Sequence, residues 1–451
     1  MYLEELRLAN IRGFSLKGEP VRLSFARPDG TYAGWTVIAG RNGTGKTTFL
    51  RAIALTLAGP TIARALAGSF AGWITQDAEE GFVHAAFSVG PDDSWGKGGQ
   101  PPKRQPWAGL KWERLPGGPE PTMIEDVPSR APKVTAQRGP WYENPSGWFV
   151  AGYGPFRRMS GAASEAQRLM LGHKRTAALV TLFDESASLA ESLWWLQDVY
   201  PKSLEGDPAS RQLLNSILKL LNDGLLPDEF RVERYDSDGL WVRREGIELA
   251  LQEMSDGYRT VAALILDIVR RIYTAYGHFN LEEDEDGYNI APYEGVVLID
   301  EIDVHLHVSW QQQIGFWLRQ HFPQIQFIVS THSPFICQAA SPRGLIRLPP
   351  PDEPQERARF IEDSLFNAIV NGGADRAVMS ELFGLESPYS PEGDRLRRRL
   401  RALEMSLLDK GDDDALEDEI DATRLRIGAT ASDDVVAALD VLNEKLRRSD
   451  A

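Results

Sequence analysis

The chain opens with alternation. From Tyr2 to about Ala39, apolar and polar positions take turns in the manner of half-buried strands. Leu6, Leu8 and Ile11 mark one candidate strand, and Val21, Leu23 and Phe25 another. Trp35-Thr36-Val37-Ile38-Ala39 forms a nearly continuous apolar run, and a helical segment from about Thr47 to Leu57 follows it. A further strand is expected near Phe82 to Phe87. Between Gly90 and Gly147 the chain is crowded with Pro, Gly and Trp, which predicts a long insertion with little regular structure. Trp148 to Tyr153 resumes as a strand.

From about Thr176 to Leu226 the pattern turns helical, with Leu193, Leu196, Leu213, Leu214, Ile217, Leu218 and Leu221 at three-to-four spacing. A short β section spans Phe230 to Leu249, and a helix with Val261, Leu264, Ile265, Ile268 and Ile272 on one face comes next. Val296–Ile299 and Phe327–Val329 read as strands. Beyond Pro350 the chain looks mostly helical. Leu396, Leu400, Leu403 and Leu407, followed by Leu416 and Ile420 past a Lys410-Gly411-Asp412 turn, predict a short antiparallel helical hairpin. No internal repeat is visible.

Candidate chemistry concentrates where these elements end. Gly40-Arg41-Asn42-Gly43-Thr44-Gly45-Lys46-Thr47-Thr48 fits the phosphate-binding pattern GxxxxGK[ST] and joins a strand to a helix. The glycines let backbone N–H groups curl around phosphates, Lys46 reaches the β- and γ-oxygens, and the Thr47 hydroxyl holds Mg²⁺. The helix aims its positive end at the same anion. A second motif is Val296-Val297-Leu298-Ile299-Asp300-Glu301, an apolar run suited to a central parallel strand. Asp300 at its end is placed to organise the Mg²⁺ shell, and Glu301 to polarise the attacking water. Gln326-Phe327-Ile328-Val329-Ser330-Thr331-His332-Ser333 repeats the layout of strand then polar tip, which puts His332 in position to sense a γ-phosphate. Met254-Ser255-Asp256-Gly257-Tyr258-Arg259 opens the apolar helix with Ser255 as its N-cap, a second anion site. One nucleotide already has its loop, so Ser255 and Gly257 are expected to serve the nucleotide of another copy. That implies a dimer. His305 and His307 have no nearby ligand set of recognised spacing, and packing or subunit contact suits them better than a metal.

Charge and composition narrow the partners. A length of 451 residues allows two or three structural units. The net charge of −16 argues against a broad surface for gripping nucleic-acid backbone, although Arg395 to Arg401 is locally basic. No apolar run is long enough to span a bilayer, and Met1 to Glu5 does not read as a signal peptide. One cysteine, Cys337, excludes an internal disulfide framework and fits a reducing, cytoplasmic setting.

Together these motifs resemble the ABC-type ATPase heads of the SMC, RecF and OLD group. More narrowly, they are similar to stand-alone bacterial AAA family ATPases with an Asp-Glu-Ile-Asp-x-His-Leu-His segment, here Asp300 to His307. Leu8-Ala9-Asn10-Ile11-Arg12-Gly13-Phe14 is similar to the family's opening strand, and Gly384 to Ser390 to one of its C-terminal turns. Ser255, Gly257 and Arg259 match the signature motif that completes the opposite subunit's site, Asp303 begins the interface segment, and His332 matches the switch histidine. Val308 departs from the proline usual after the second His, and Gln76 and Gly152–Arg158 both remain candidates for the glutamine loop.

The resemblance implies an α/β P-loop NTPase, ABC ATPase head-like, with a helical insertion and a helical C-terminal extension. The expected divisions are an N-terminal lobe 1–175 carrying the insertion at about 90–147, a helical/β subdomain 176–258, a C-terminal lobe 259–350 and an extension 351–451. It further implies ATP and Mg²⁺ as ligands, a homodimer with ATP at its interface, and a conformational switch for an effector such as a nuclease in anti-phage defence of the Septu or retron kind. Nucleic acid would enter through the complex, and no membrane is involved. A DNA repair ATPase of RecF type, a transporter's nucleotide-binding subunit and a slowly hydrolysing scaffold are the alternatives.

Overall fold

The structure is a computed structural model that describes residues 1–14, 19–96, 98–118, 120–129, 135–143, 145–156, 174–226, 230–236, 239–353, 355–411 and 413–428. The chain divides into two compact units, Met1–Gly384 and Leu385–Ala451.

At the centre of the first unit lies a six-stranded sheet. Its order is β16 (Arg359–Phe360), β15 (Leu345–Arg347), β3 (Gly34–Ala39), β14 (Ile325–Thr331), β13 (Gly295–Ile299) and β7 (Val150–Tyr153). All neighbours run parallel except β16 against β15. The continuous apolar runs of β3, β13 and β14 follow from burial on both faces. Val37, Val297, Ile299, Phe327 and Val329 point into one core, with the helices Asp256–Tyr276 and Val308–His321. Ile38, Val296, Leu298 and Ile328 point into the other.

That second core is closed by an antiparallel sheet, β2 (Val21–Ser24), β1 (Leu3–Ala9), β4 (Glu80–Phe87), β5 (Trp107–Glu113) and β6 (Thr122–Glu125), in that order. The helix Lys46–Ala58 packs against strands of both sheets, which explains why it is buried almost all round. Gln326 ties the two together. Its side chain, fully buried, accepts from the Leu3 N–H at 2.8 Å and donates to the Leu3 carbonyl at 2.9 Å, as a strand neighbour would.

Here the structure corrects the reading of residues 90–147 as nearly structureless. β5 and β6 extend the antiparallel sheet, and Trp107, Ala108, Leu110 and Trp112 are core residues. Gly109 shows why the pattern misleads: a Cβ there would stand 2.0 Å from the Asp126 carbonyl, so only glycine lets the next segment cross. The other expected elements are present. Lys174–Phe183, Ala190–Leu204 and Pro208–Leu221 are helices, and β8 (Arg231–Asp236), β9 (Gly239–Arg244) and β10 (Ile247–Ala250) form a separate antiparallel sheet. The acidic stretch after the Asp256–Tyr276 helix folds as a small ribbon, β11 (Glu282–Glu283) with β12 (Asn289–Ile290).

In the second unit, the expected hairpin consists of helices Pro391–Lys410 and Asp414–Ile427. Ser390 and Asp413 cap them by accepting from the N–H groups of Gly393 and Leu416. Leu400, Met405, Ile420 and Thr423 are buried, and Arg424–Glu404 at 2.8 Å spans the pair.

Candidate functional site

Three neighbouring parallel strands, β3, β14 and β13, deliver their C-terminal ends to one edge of the sheet. The loop Gly40–Thr48 leaves β3 there. Gly40, Gly43 and Gly45 have φ of 152°, 81° and 91°, a region that L side chains resist. Gly45 is doubly constrained, because a Cβ would also lie 3.1 Å from the Phe14 ring. Lys46 is 7 % exposed and donates to the carbonyls of Gly40 at 2.9 Å and Arg41 at 3.0 Å, curling the loop over its own ammonium. Thr44 holds the same turn by donating to the Arg41 carbonyl at 3.1 Å. Asn42 and Gly43 are exposed at the loop's tip, Thr47 is half-buried and Thr48 faces the core. Arg41 reaches outward to Asp352 at 3.1 Å.

No side chain caps the Lys46–Ala58 helix. Its first N–H groups and the glycine-rich curve therefore form a cradle with donors for an anion, and the donor set fits a nucleotide's phosphates.

Beside the loop, Asp300 follows β13 and is 1 % exposed. Its N–H donates to the Tyr153 carbonyl at 2.8 Å, and its carboxylate accepts a short hydrogen bond from the Ser330 hydroxyl. The same Ser330 oxygen accepts the Glu301 N–H at 2.8 Å. One fully buried serine on β14 thus holds both acidic residues. Glu301 adopts φ 45°, a left-handed conformation that costs a non-glycine residue about 1–2 kcal/mol and turns the chain out of the strand. Asp303 then folds back, accepting from Thr331 Oγ1 and from the His332 N–H at 3.3 Å.

Electrostatics join these parts. Burial lowers the Lys46 pKa, and the carboxylates of Asp300, Glu301 and Asp303 oppose that shift in decreasing order. His332, solvent-accessible at the tip of β14, is pushed down by partial desolvation and then by the Lys46 ammonium. Lys46, Asp300, Glu301 and His332 therefore share one electrostatic neighbourhood, as their strand ends require.

Ser255 and Gly257 sit elsewhere. Among the described residues no hydrogen bond or ion pair joins either to Gly40–Thr48. Ser255 precedes the Asp256–Tyr276 helix with φ −62° and ψ 156°, is exposed, and makes no side-chain cap. A Cβ on Gly257 would lie 3.1 Å from the His305 carbonyl, which places this helix start against the Asp300–His307 segment. Arg259 pairs with Asp256 and donates to the Gln252 carbonyl at 3.3 Å. His307 caps the Val308–His321 helix, accepting from the Ser309 N–H at 3.3 Å, in keeping with a packing role. Gln76 is exposed, while Gly152 and Tyr153 end β7 beside Asp300; Arg157 and Arg158 lie outside the described residues.

Sequence reasoning named Ser330 only within the Gln326–Ser333 motif and Tyr153 only within the Gly152–Arg158 candidate loop, and assigned neither the role seen here. The polar Ser330-Thr331 pair closing an apolar strand was the available signal for the first; a tyrosine at a strand end offered none.

Parts of the chain are similar to known proteins. Residues 173–338 match a family model described as "AAA domain, putative AbiEii toxin, Type IV TA system", and residues 5–93 match one described as "AAA domain". The "Retron Vc95 probable ATPase" of Vibrio cholerae serotype O1 biovar El Tor is 41 % identical over 24 % of this chain and 20 % of its own length. The "Septu protein PtuA" of Bacillus mycoides (strain KBAB4) is 25 % identical over 85 % of this chain and 45 % of its own length. The chain thus spans less than half of these relatives. The SMC head domain from Thermotoga maritima is a distant likeness, with a TM-score of 0.39 and 16 % identity over 80 % of this chain and all of that one. No helix among the described residues is long and apolar enough to cross a membrane. The chain therefore has an α/β P-loop NTPase fold and matches AAA-domain models over residues 5–93 and 173–338.

Proposed function

We propose that this chain binds and hydrolyses ATP as a closed pair of copies, and that opening of the pair is the signal it passes to an effector protein. The observation that carries the reading is Ser330. It holds Asp300 and Glu301 together at the strand end next to the Lys46 loop, an arrangement that structural packing alone does not call for.

In this reading the loop from Gly40 to Thr48 grips the β- and γ-phosphates through its N–H groups, and Lys46 neutralises their charge. Thr47 and Asp300 would hold Mg²⁺, which supplies charge neutralisation at the phosphates. Glu301, turned out of β13, accepts a proton from the attacking water as it adds to the γ-phosphorus, while ADP departs with the bond electrons. His332, kept largely neutral by Lys46 and partial desolvation, can donate one hydrogen bond to a γ-phosphate oxygen. Ser255 is exposed, Gly257 is half-buried, and neither is engaged with its own loop, so this helix start can face the nucleotide of a second copy. Likeness to the retron and Septu relatives favours an effector in anti-phage defence over a metabolic role.

The test is light scattering on Glu301→Gln, which leaves binding intact and blocks hydrolysis. Mg-ATP should double its mass, and Ser255→Arg added to it should abolish the doubling. A protein that binds ATP and stays monomeric would refute the paired-copy reading.

A further inference from the structure

A buried polar network sits beneath the site and plays no part in the chemistry described above. At its centre is Asp267, 1 % exposed, three turns into the helix that Ser255 opens. Its Oδ2 accepts from the Tyr153 hydroxyl at 3.0 Å and from Arg271 Nε at 3.1 Å, and its Oδ1 accepts from Ser192 Oγ at 3.1 Å. Next to it, Arg270 donates to Glu191 Oε2 at 3.2 Å. Tyr153, Asp267, Arg271, Ser192 and Glu191 are all at most 5 % exposed. Burying several charged groups brings little net stability, because desolvation offsets most of the pairing. Apolar replacements of similar volume are often as stable as such buried ion pairs. What the network does supply is directionality, since its members come from three elements: β7 and the helices Ala190–Leu204 and Asp256–Tyr276.

Tyr153 has two attachments. Its carbonyl accepts the Asp300 N–H at 2.8 Å, so its backbone sets the height of the catalytic strand end. Its phenol grips Asp267 on the helix that carries Ser255 and Gly257 at its start. Burial, followed by the Asp267 carboxylate, pushes the phenol pKa well up, so Tyr153 remains the donor at any working pH. Ser192 and Glu191 extend the link to the helix Ala190–Leu204.

We propose that Tyr153 and Asp267 are a positioning pair that couples the nucleotide bound on a chain's own loop to the Ser255–Gly257 face it presents to a second copy. Strand end and signature helix move as one body through this pair, so the state at Asp300 dictates whether that face is aligned. The inference rests on the paired-copy reading above.

The test uses Tyr153→Phe, which removes one hydroxyl and keeps the ring, introduced into the full chain and into Glu301→Gln. Two quantities are measured: affinity for a fluorescent ATP analogue, and the ATP concentration that half-saturates dimerisation. The pair predicts nucleotide affinity within about twofold of the parent while the half-point for dimerisation rises about tenfold, the worth of one hydrogen bond to a buried charge. Turnover should lose its cooperative dependence on ATP in step. A purely structural hydroxyl would lower the melting temperature and leave the half-point unmoved, which overturns the proposal. If Glu301→Gln alone does not dimerise, the paired-copy reading has failed instead. Should Tyr153→Phe fold poorly, Ser192→Ala breaks the same node from the other side and is held to the same outcomes.

Discussion

Ser330→Ala isolates the idea that one hydroxyl organises the acidic pair. Ser330 is 0 % exposed and Asp300 1 %, so the changes take place out of reach of bulk water. Without the hydroxyl, the Asp300 carboxylate loses a charge-assisted hydrogen bond, about 1.5–3 kcal/mol, and the Glu301 N–H loses this acceptor, about 1–3 kcal/mol. Both losses share one atom and do not add fully, which leaves an expected drop in unfolding free energy of about 2–4 kcal/mol. Urea denaturation followed by tryptophan fluorescence measures it. Function should suffer separately: a carboxylate released to shift by about 1 Å costs up to a hundredfold in kcat. Affinity for nucleotide without Mg²⁺ should change little, because the hydroxyl does not touch the Gly40–Thr48 cradle. A variant that loses less than about 1 kcal/mol and turns over at the parent rate would refute the argument.

Other perturbations follow from the same geometry. Glu301→Gly should abolish hydrolysis yet raise the melting temperature slightly, since releasing φ 45° gains up to about 1 kcal/mol after glycine's own entropy loss; a lower melting temperature would mean the turn is not strained. Gly45→Ala meets both φ 91° and the Phe14 ring at 3.1 Å, so it should lose about 1–3 kcal/mol and most nucleotide binding in a fluorescence titration. His332 has a folded pKa below its unfolded value, so its contribution to stability is present above about pH 6.5 and lost as pH falls through the folded value. Nucleotide-free His332→Gln should therefore show a flatter decline in stability from pH 7 to about 5 than the parent. Asp352→Ala removes an ion pair whose members are 53 % and 66 % exposed, and should cost less than about 0.5 kcal/mol by thermal melting.

The sheet edge was legible in the sequence because phosphate chemistry demands particular residues at particular spacing. Gly40 to Thr48 cannot be rearranged without losing either the left-handed turns or the ammonium, and Asp300 could only mark the end of a buried strand. Periodicity likewise exposed the Asp256–Tyr276 helix, whose polar face is distinct. The stretch 90–147 was illegible for the opposite reason. β5 is buried along nearly all its length, so Trp107-Ala108-Gly109-Leu110 shows no alternation, and Gly109 reads as a breaker although a crossing segment requires it. Gln326, Ser330 and Tyr153 are invisible to local pattern because each acts through a partner tens to hundreds of positions away. Such long-range hydrogen bonds carry no sequence period.

The most direct measurement of the central claim is Mg-dependent phosphate release by the purified chain, compared with Glu301→Gln, alongside ATP binding by both. Steady release by the parent, reduced at least about a hundredfold in the variant while both bind ATP equally, is the predicted result. Equal turnover by the two proteins would remove Glu301 from the chemistry, and absence of ATP binding by the parent would contradict the account at its root.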